Sequence, residues 1–226
     1  MHEISATELY QKLLNEHLEL TTGEIIFKMS KTSVKINSTD TVGNSIQSWL
    51  GQYMTDNKIF HREPSSTQIF PDFYLDSSSN EKGMLEVKCF NYDNTPAFDI
   101  ANFESYCDSV KEKPYRLNAD YIIFGYTMNT TGDITVQKIW LKKIWQIAGK
   151  SSTYPLKTQV KRGMIYNIRP EGNFKHGLPS TFRSEADFIK AIYGTLKLYK
   201  NASFADNWLN TFKSNYRKYY GKDFAI

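Results

Sequence analysis

A chain of 226 residues, 40% of them hydrophobic, can bury a sizeable core, and no stretch approaches 18 consecutive apolar residues, which excludes a membrane-spanning helix. Two cysteines, Cys89 and Cys107, with no CxxC or Cys/His cluster, exclude a zinc-ligand motif and read as free thiols of a reducing compartment. The net charge of +4 is mild but uneven, −4 over residues 1–150 and +8 over 151–226, which suits a protein that meets phosphates with part of its surface or one that simply carries solvated basic helices.

The first residues carry acids and no apolar run, so no signal peptide is expected and the protein reads as cytoplasmic. Ser5-x-x-Glu8 forms a capping box, and Leu9, Leu13, Leu14 and Leu18 recur at helical spacing behind it. Residues 23–29 read as a strand. Asp40 is a candidate N-cap for a second helix over 42–54, with Ile46, Trp49, Leu50 and Tyr53 as its apolar stripe. Two strands follow, 69–76 and 83–90, around the polar turn SSSNEKG. Asp99 is placed to cap a helix ending near Val110, before Pro114. The β-branched and aromatic run 119–126 predicts a buried central strand, and 133–140 another strand followed by a short helix. Residues 150–182 read as a Pro/Gly-punctuated loop region. Ser184-x-x-Asp187 and Ser203-x-x-Asp206 then open two final helices. The expected fold class is α/β, a mixed central β-sheet flanked by helices, in one domain over 1–226, with a core at about 40–140.

The chemistry gathers at Pro71-Asp72 and Glu86-Val87-Lys88. On a strand, Glu86 and Lys88 point to one face and Val87 to the other. Setting Asp76 opposite Met84 puts Tyr74 opposite Glu86 and Asp72 opposite Lys88, so Asp72, Glu86 and Lys88 converge. A slip of one residue would turn Asp72 away. Two carboxylates and the Val87 carbonyl are hard oxygen ligands for Mg²⁺. A lysine beside them can orient a water or offset the negative charge that a pentavalent phosphate gathers. The same residues also read as a salt-bridge ladder on an edge hairpin, and Asp76 competes with Asp72 because it lies on the same face.

PD…ExK on a β-hairpin resembles the PD-(D/E)XK nuclease superfamily, which includes most type II restriction endonucleases. The similarity runs from about 40 to 130. It implies a restriction-endonuclease-like core and Mg²⁺-dependent, sequence-specific hydrolysis of double-stranded DNA, with one or two metal ions per site. Members often place a glutamate on the helix before the hairpin, where this chain carries Gln47, so Gln47 joins the catalytic candidates while a second metal at that helix lacks its usual ligand. A palindromic target implies a homodimer with one site per strand. The resemblance also implies a bacterial setting and a cognate methyltransferase. In its compactness and its usage of Asn, Lys, Ile and Tyr the chain also resembles a small restriction enzyme of that superfamily that cuts an A/T-rich palindrome to blunt ends, and that resemblance implies such a target as one option.

Readers of DNA are sought in two places. Asn91, Tyr92, Asn94 and Thr95 follow the site strand directly; amides pair with adenine and threonine methyls pack on thymine, although the same residues also form turns. Lys157, Gln159, Lys161, Arg162, Arg169, Asn173, Lys175 and His176 combine basic and amide side chains suited to phosphates and bases, and Arg116 is a further phosphate candidate. Two other readings stand beside this one: a structure-selective or nicking nuclease of the same fold, and a non-catalytic DNA-binding module.

Overall fold

The computed structural model describes residues 1–66 and 69–226. Cα packing divides the chain into two compact units, residues 1–95 with 120–142, and residues 96–119 with 143–226. The chain crosses between them without a linker. One crossing, at Lys142–Lys143, falls inside a strand, so no shift in composition marks it.

The first unit opens with α1 (Ala6–Asn15), whose capping box forms as the sequence predicts: the Ser5 hydroxyl accepts from the Glu8 amide and the Glu8 carboxylate accepts from the Ser5 amide. Then come β1 (Thr22–Met29), β2 (Thr32–Ile36) and α2 (Val42–Asp56). Asp40 does not cap α2. It sits in a one-turn 3₁₀ helix, Thr39–Thr41, that runs straight into α2, and Thr41 holds the cap position without a side-chain bond. After β3 (Phe73–Tyr74) and β4 (Met84–Asn91), the unit is completed by β6 (Asp120–Met128) and β7 (Asp133–Lys143), which follow β5 (Ala101–Asn102) of the second unit in chain order. The six strands form a mixed sheet in the order β2-β1-β7-β6-β4-β3. At its centre β4 runs parallel to β6 from Leu85↔Asp120 to Asn91↔Tyr126, while β1–β2, β1–β7 and β3–β4 are antiparallel.

Alternation decides which residues face the helices. Leu85 and Val87 of β4 and Ile122, Phe124 and Tyr126 of β6 pack with Leu9 and Leu13 of α1 and Val42, Ile46, Leu50 and Met54 of α2. The buried stripe of α2 is thus rotated from the expected one. Ile46 and Leu50 belong to it, but Trp49 is 41% exposed and Tyr53 half-buried. Val42 and Met54 take their place, completing a stripe of every fourth residue, Val42, Ile46, Leu50 and Met54.

In the second unit β5 (Ala101–Asn102), β9 (Met164–Ile168) and β8 (Thr158–Lys161) make a small sheet in that order. Four helices accompany it: α3 (Phe103–Glu112), α4 (Ile144–Ile147), α5 (Glu185–Tyr199) and α6 (Ala202–Tyr220). Asp99 does not cap α3. Asn102 does, accepting from the Ser105 amide, and Asp99 pairs with Arg169 instead. Ser184 caps α5 as expected, but Asn201 caps α6 two residues before the expected Ser203. The Trp208 indole donates to the Cys107 carbonyl at 2.8 Å, tying α6 to α3.

Back in the first unit, Gly125 lies on the β6 face turned away from α1 and α2, beneath an aromatic stack. Trp140 stacks on Phe90 at 5.7 Å and on Tyr92 at 6.2 Å between ring centroids. A Cβ at Gly125 would stand 2.7 Å from the Tyr92 ring and 3.0 Å from Trp140. Because the rings brace one another, Gly125→Ala is expected to destabilise the protein by about 1–3 kcal/mol, read as a lower urea midpoint with an unchanged slope.

Candidate active site

The expected hairpin strand 69–76 is reduced to Phe73–Tyr74, because Pro71 offers no amide to the ladder and the chain leaves the sheet after Leu75. The Leu75 amide donates to the Gly83 carbonyl at 2.8 Å, closing a loop over 76–82. Gly83 has φ +59, and a Cβ there would meet the Asp76 amide at 2.8 Å, so the tight return needs glycine. Asp76 is therefore a turn residue. Its carboxylate accepts from the Ser78 amide at 2.9 Å and the Ser78 hydroxyl at 2.8 Å, which hold its pKa below the ordinary carboxylate value.

The register differs from the expected one by two residues. Phe73 pairs with Leu85 and Tyr74 with Met84, so its continuation sets Asp72 opposite Glu86 and not opposite Lys88. An even shift keeps every side chain on its face, so Asp72, Glu86 and Lys88 still converge. The Asp72 Oδ2 accepts from the Val87 amide at 2.7 Å. The Lys88 Nζ donates to the Glu86 Oε1 at 2.8 Å. Since the amide and carbonyl of one strand residue point to the same side, the Val87 carbonyl also lies toward Asp72, while its side chain packs in the core.

The three charges sit in shielded surroundings. Glu86 is 9% exposed. Burial, with the Glu86 charge second, raises the Asp72 pKa to about 6, against the opposing pull of the Val87 amide and Lys88; Glu63 adds a smaller upward push. Burial disfavours the Lys88 ammonium, but the bonded Glu86, backed by Asp72, outweighs it and holds the Lys88 pKa above its ordinary value. Two repelling carboxylates with a carbonyl at hand are a donor set that a hard cation would relieve. Gln47 of α2 is half-buried and lines a small pocket with Glu63, Pro64, Ile69 and Asp72. Glu63 did not stand out in the sequence: it lies in a polar loop, and only the fold brings it near Asp72. No cluster of three or more His, Cys, Asp or Glu side chains placed to hold a metal occurs among the described residues.

The expected DNA-reading residues separate into open and engaged ones. Asn91 forms a turn, its Oδ1 accepting from the Asp93 amide at 2.9 Å, and Tyr92 lies half-buried against Trp140. Asn94 and Thr95 are exposed. In the second unit the expected loop region contains β8 and β9, joined at Arg162 (φ 53) and Gly163 (φ 76). Lys161 and Arg162 are exposed at that turn, as is His176 at the end of the 3₁₀ helix Asn173–His176, where Lys175 is half-buried. Lys157 donates to the Pro170 carbonyl, Asn173 to the Pro179 carbonyl and Arg116 to the Ser109 hydroxyl; Arg169 pairs with Asp99, and Gln159 accepts from Asn167.

A raised carboxylate pKa has a fixed sign for stability. The folded chain holds the Asp72 proton more tightly than the unfolded chain does, so this contribution is present at low pH and is lost as pH rises from about 4 through about 6. In chelator, Asp72→Asn is expected to unfold at a higher temperature than the parent above that range and to lose the advantage below it. Thermal melts across pH check this.

The sequence model of the NgoBV restriction endonuclease family matches residues 3–226. The type II restriction enzyme NlaIV of Neisseria lactamica is 36% identical, over 100% of this chain and 95% of its own length. The type II restriction enzyme NgoBV of Neisseria gonorrhoeae is 33% identical, over 72% of this chain and 93% of its own. The solved structure of the NlaIV restriction endonuclease superposes with a TM-score of 0.91 at 35% identity, covering 100% of this chain and 94% of that one. A match of this length in sequence and in fold means that the chain belongs to the NgoBV restriction endonuclease family.

Proposed function

We propose that this type II restriction endonuclease cuts double-stranded DNA at the Asp72, Glu86 and Lys88 site, with Mg²⁺ held by the two carboxylates and the Val87 carbonyl. The observation that carries the reading is the pair of hydrogen bonds that join the four residues, Asp72 to the Val87 amide at 2.7 Å and Lys88 to Glu86 at 2.8 Å. Hard oxygen donors of this kind suit Mg²⁺, which accepts one or two carboxylates and keeps its remaining positions for water and phosphate. When bound, the ion supplies Lewis-acid charge to the phosphate under attack. Lys88, kept charged by Glu86, adds a fixed positive group where the pentavalent phosphate gathers negative charge. Gln47, beside Asp72, can hold a water in place through its amide. Asp76 has no part in the chemistry, being committed to its turn.

Double-stranded DNA is the partner. The loop of Asn91, Tyr92, Asn94 and Thr95 leaves the site strand and suits contact near the cut. Lys161 and Arg162 at the β8–β9 turn, with Lys175 and His176, suit phosphates. Lys157, Gln159, Arg169, Asn173 and Arg116 are tied within their own unit and serve more as supports of that surface. A palindromic target would be served by a homodimer, one site per strand, and a methyltransferase protecting the same sequence would accompany the enzyme in a bacterial cytoplasm. No described helix is long and apolar enough to cross a membrane.

Incubation of the purified chain with phage DNA should give discrete bands that require Mg²⁺, and sequencing the ends should show a symmetric site. A smear or random nicks would favour a structure-selective nuclease. Asp72→Ala and Lys88→Ala are each expected to cost roughly two or more orders of magnitude in cleavage rate while DNA binding persists in a gel shift. Asp76→Ala should stay close to the parent; if Asp76→Ala were dead and Asp72→Ala active, the assignment would be reversed.

A further inference from the structure

The strands β8 and β9 form a ribbon that runs on past the rest of their sheet. β5 pairs with β9 only at Ile168 and Asn167, so from Val160 to Tyr166 the ribbon is two strands wide. Its inner side is packed, with Ile165 4% exposed and Ile168 fully buried. Its outer side is open. Lys161 pairs with Met164, and Tyr166 follows Met164 on the same side, with the Lys161 Nζ 5.6 Å from the centre of the Tyr166 ring. Met164 is 55% exposed and Tyr166 40%. At the tip, Arg162 (φ 53) and Gly163 (φ 76) both take the left-handed conformation of a two-residue turn, whose first position favours asparagine or glycine. An arginine stands there against that preference, with its side chain in solvent. Residues 151–170 include Lys157, Lys161, Arg162 and Arg169 and no Asp or Glu. Lys157 and Arg169 are bonded within the unit, whereas Lys161 and Arg162 are exposed beside the open Met and Tyr.

We propose that the β8–β9 ribbon enters the major groove of the DNA, with Met164 and Tyr166 against base edges and Lys161 and Arg162 on the phosphates beside them. Width selects the groove. Paired strands lie about 4.8 Å apart, so a two-stranded ribbon with its side chains is about 10 Å across. The major groove, about 12 Å wide, admits it, and the minor groove, about 6 Å wide, does not. The side chains select the partner. Two open cations with no acid along the same twenty residues are complementary to a phosphate backbone. An open thioether and an aromatic ring between them suit what lies inside the groove: a thioether packs on the C5 edge of a pyrimidine, and a phenol adds a donor to an apolar ring. Phosphate contacts position a protein and base contacts specify the sequence. Met164 and Tyr166 therefore help to decide which sequence is bound, and Arg162 how tightly any sequence is. That DNA is the partner rests on the function proposed above; the width and charge of the ribbon are independent of the Asp72 site.

Photo-cross-linking of the full chain tests the ribbon without cleavage. The probe is a pool of random-sequence duplexes with 5-iodouracil in place of thymine, bound in Ca²⁺ and irradiated. The iodine stands at C5, in the major groove, and couples to aromatic and sulfur side chains that touch it. Peptide mapping should find DNA joined to Met164 or Tyr166. In parallel, Arg162→Ala should bind unmodified random duplexes about 10-fold more weakly, with the salt dependence of log K reduced by about one. Its melting midpoint should match the parent's, since Arg162 is exposed. Cross-links that fall only outside β8 and β9 overturn the proposal and leave the ribbon's open side to another kind of partner. An Arg162→Ala chain that keeps the parent's affinity and salt dependence overturns it as well. Cleavage of phage DNA in Mg²⁺ is read separately. A parent that cross-links through the ribbon but does not cut would reject the nuclease site and leave the ribbon standing, and a parent that cuts without ribbon cross-links would do the reverse.

Discussion

Everything at the site depends on one short bond, from the Val87 amide to the Asp72 carboxylate at 2.7 Å. β3 has only two paired residues, too few to hold Asp72 by a backbone ladder. The bond replaces that ladder. It anchors a residue just outside the strand to the backbone between Glu86 and Lys88, so three charged groups share one place. The cost appears in the same residues: Asp72 is pushed to a pKa of about 6 because it is buried against a second acid. A fold selected only for stability would not bury two carboxylates and an ammonium together, since apolar residues of similar size do as well or better. Local disagreement of this kind between sequence and stability is expected at functional sites and supports the proposed one.

The platform under the bond is rigid for ordinary reasons. β4 is in parallel register with β6 over seven residue pairs, and parallel strands buried in a sheet centre have little freedom to slip. Leu85 and Val87 are packed beneath α1 and α2, so the odd positions of β4 belong to the core and the even ones, Glu86 and Lys88, to the site. One strand thus serves packing and the proposed site with alternate residues. The α2 helix has a similar division. Ile46 and Leu50 hold the core, Gln47 reaches the pocket beside Asp72, and Trp49 turns outward to the hairpin groove.

Where the reading from sequence failed, helix caps and weakly patterned strands account for most of it. Asp40, Asp99 and Ser203 are good capping residues that do not cap, because a 3₁₀ turn, a short strand at Ala101–Asn102 and the nearby Asn201 compete for the same positions. Several residues can satisfy a helix end, and the choice among them is made by where the chain arrives. The strands β8 and β9 were illegible because β8 buries neither face well and β9 is short, so the alternation that marks a half-buried strand is weak. β2 escaped for the opposite reason: its apolar face is open to solvent, and a strand without a core partner looks like any short polar-apolar mixture.

By itself the sequence determined which charged side chains of the proposed site share a face. Glu86 and Lys88 lie two apart on a strand, and a period of two cannot place them otherwise; Pro71-Asp72 before a polar turn offered a second acid to meet them, with Asp76 as its competitor. The capped first helix, the apolar runs of β4 and β6 and the α/β class were equally legible, since they follow from local periodicity. Only the tertiary structure decided which residue Asp72 faces, because the length of the 76–82 loop depends on how Asp76 and Gly83 close it. It alone brought Glu63 beside Asp72, tied Arg116, Lys157 and Arg169 into internal bonds, and left the β1–β2 face uncovered. Each of these depends on how the chain closes its turns and packs its strands, which no local residue pattern encodes.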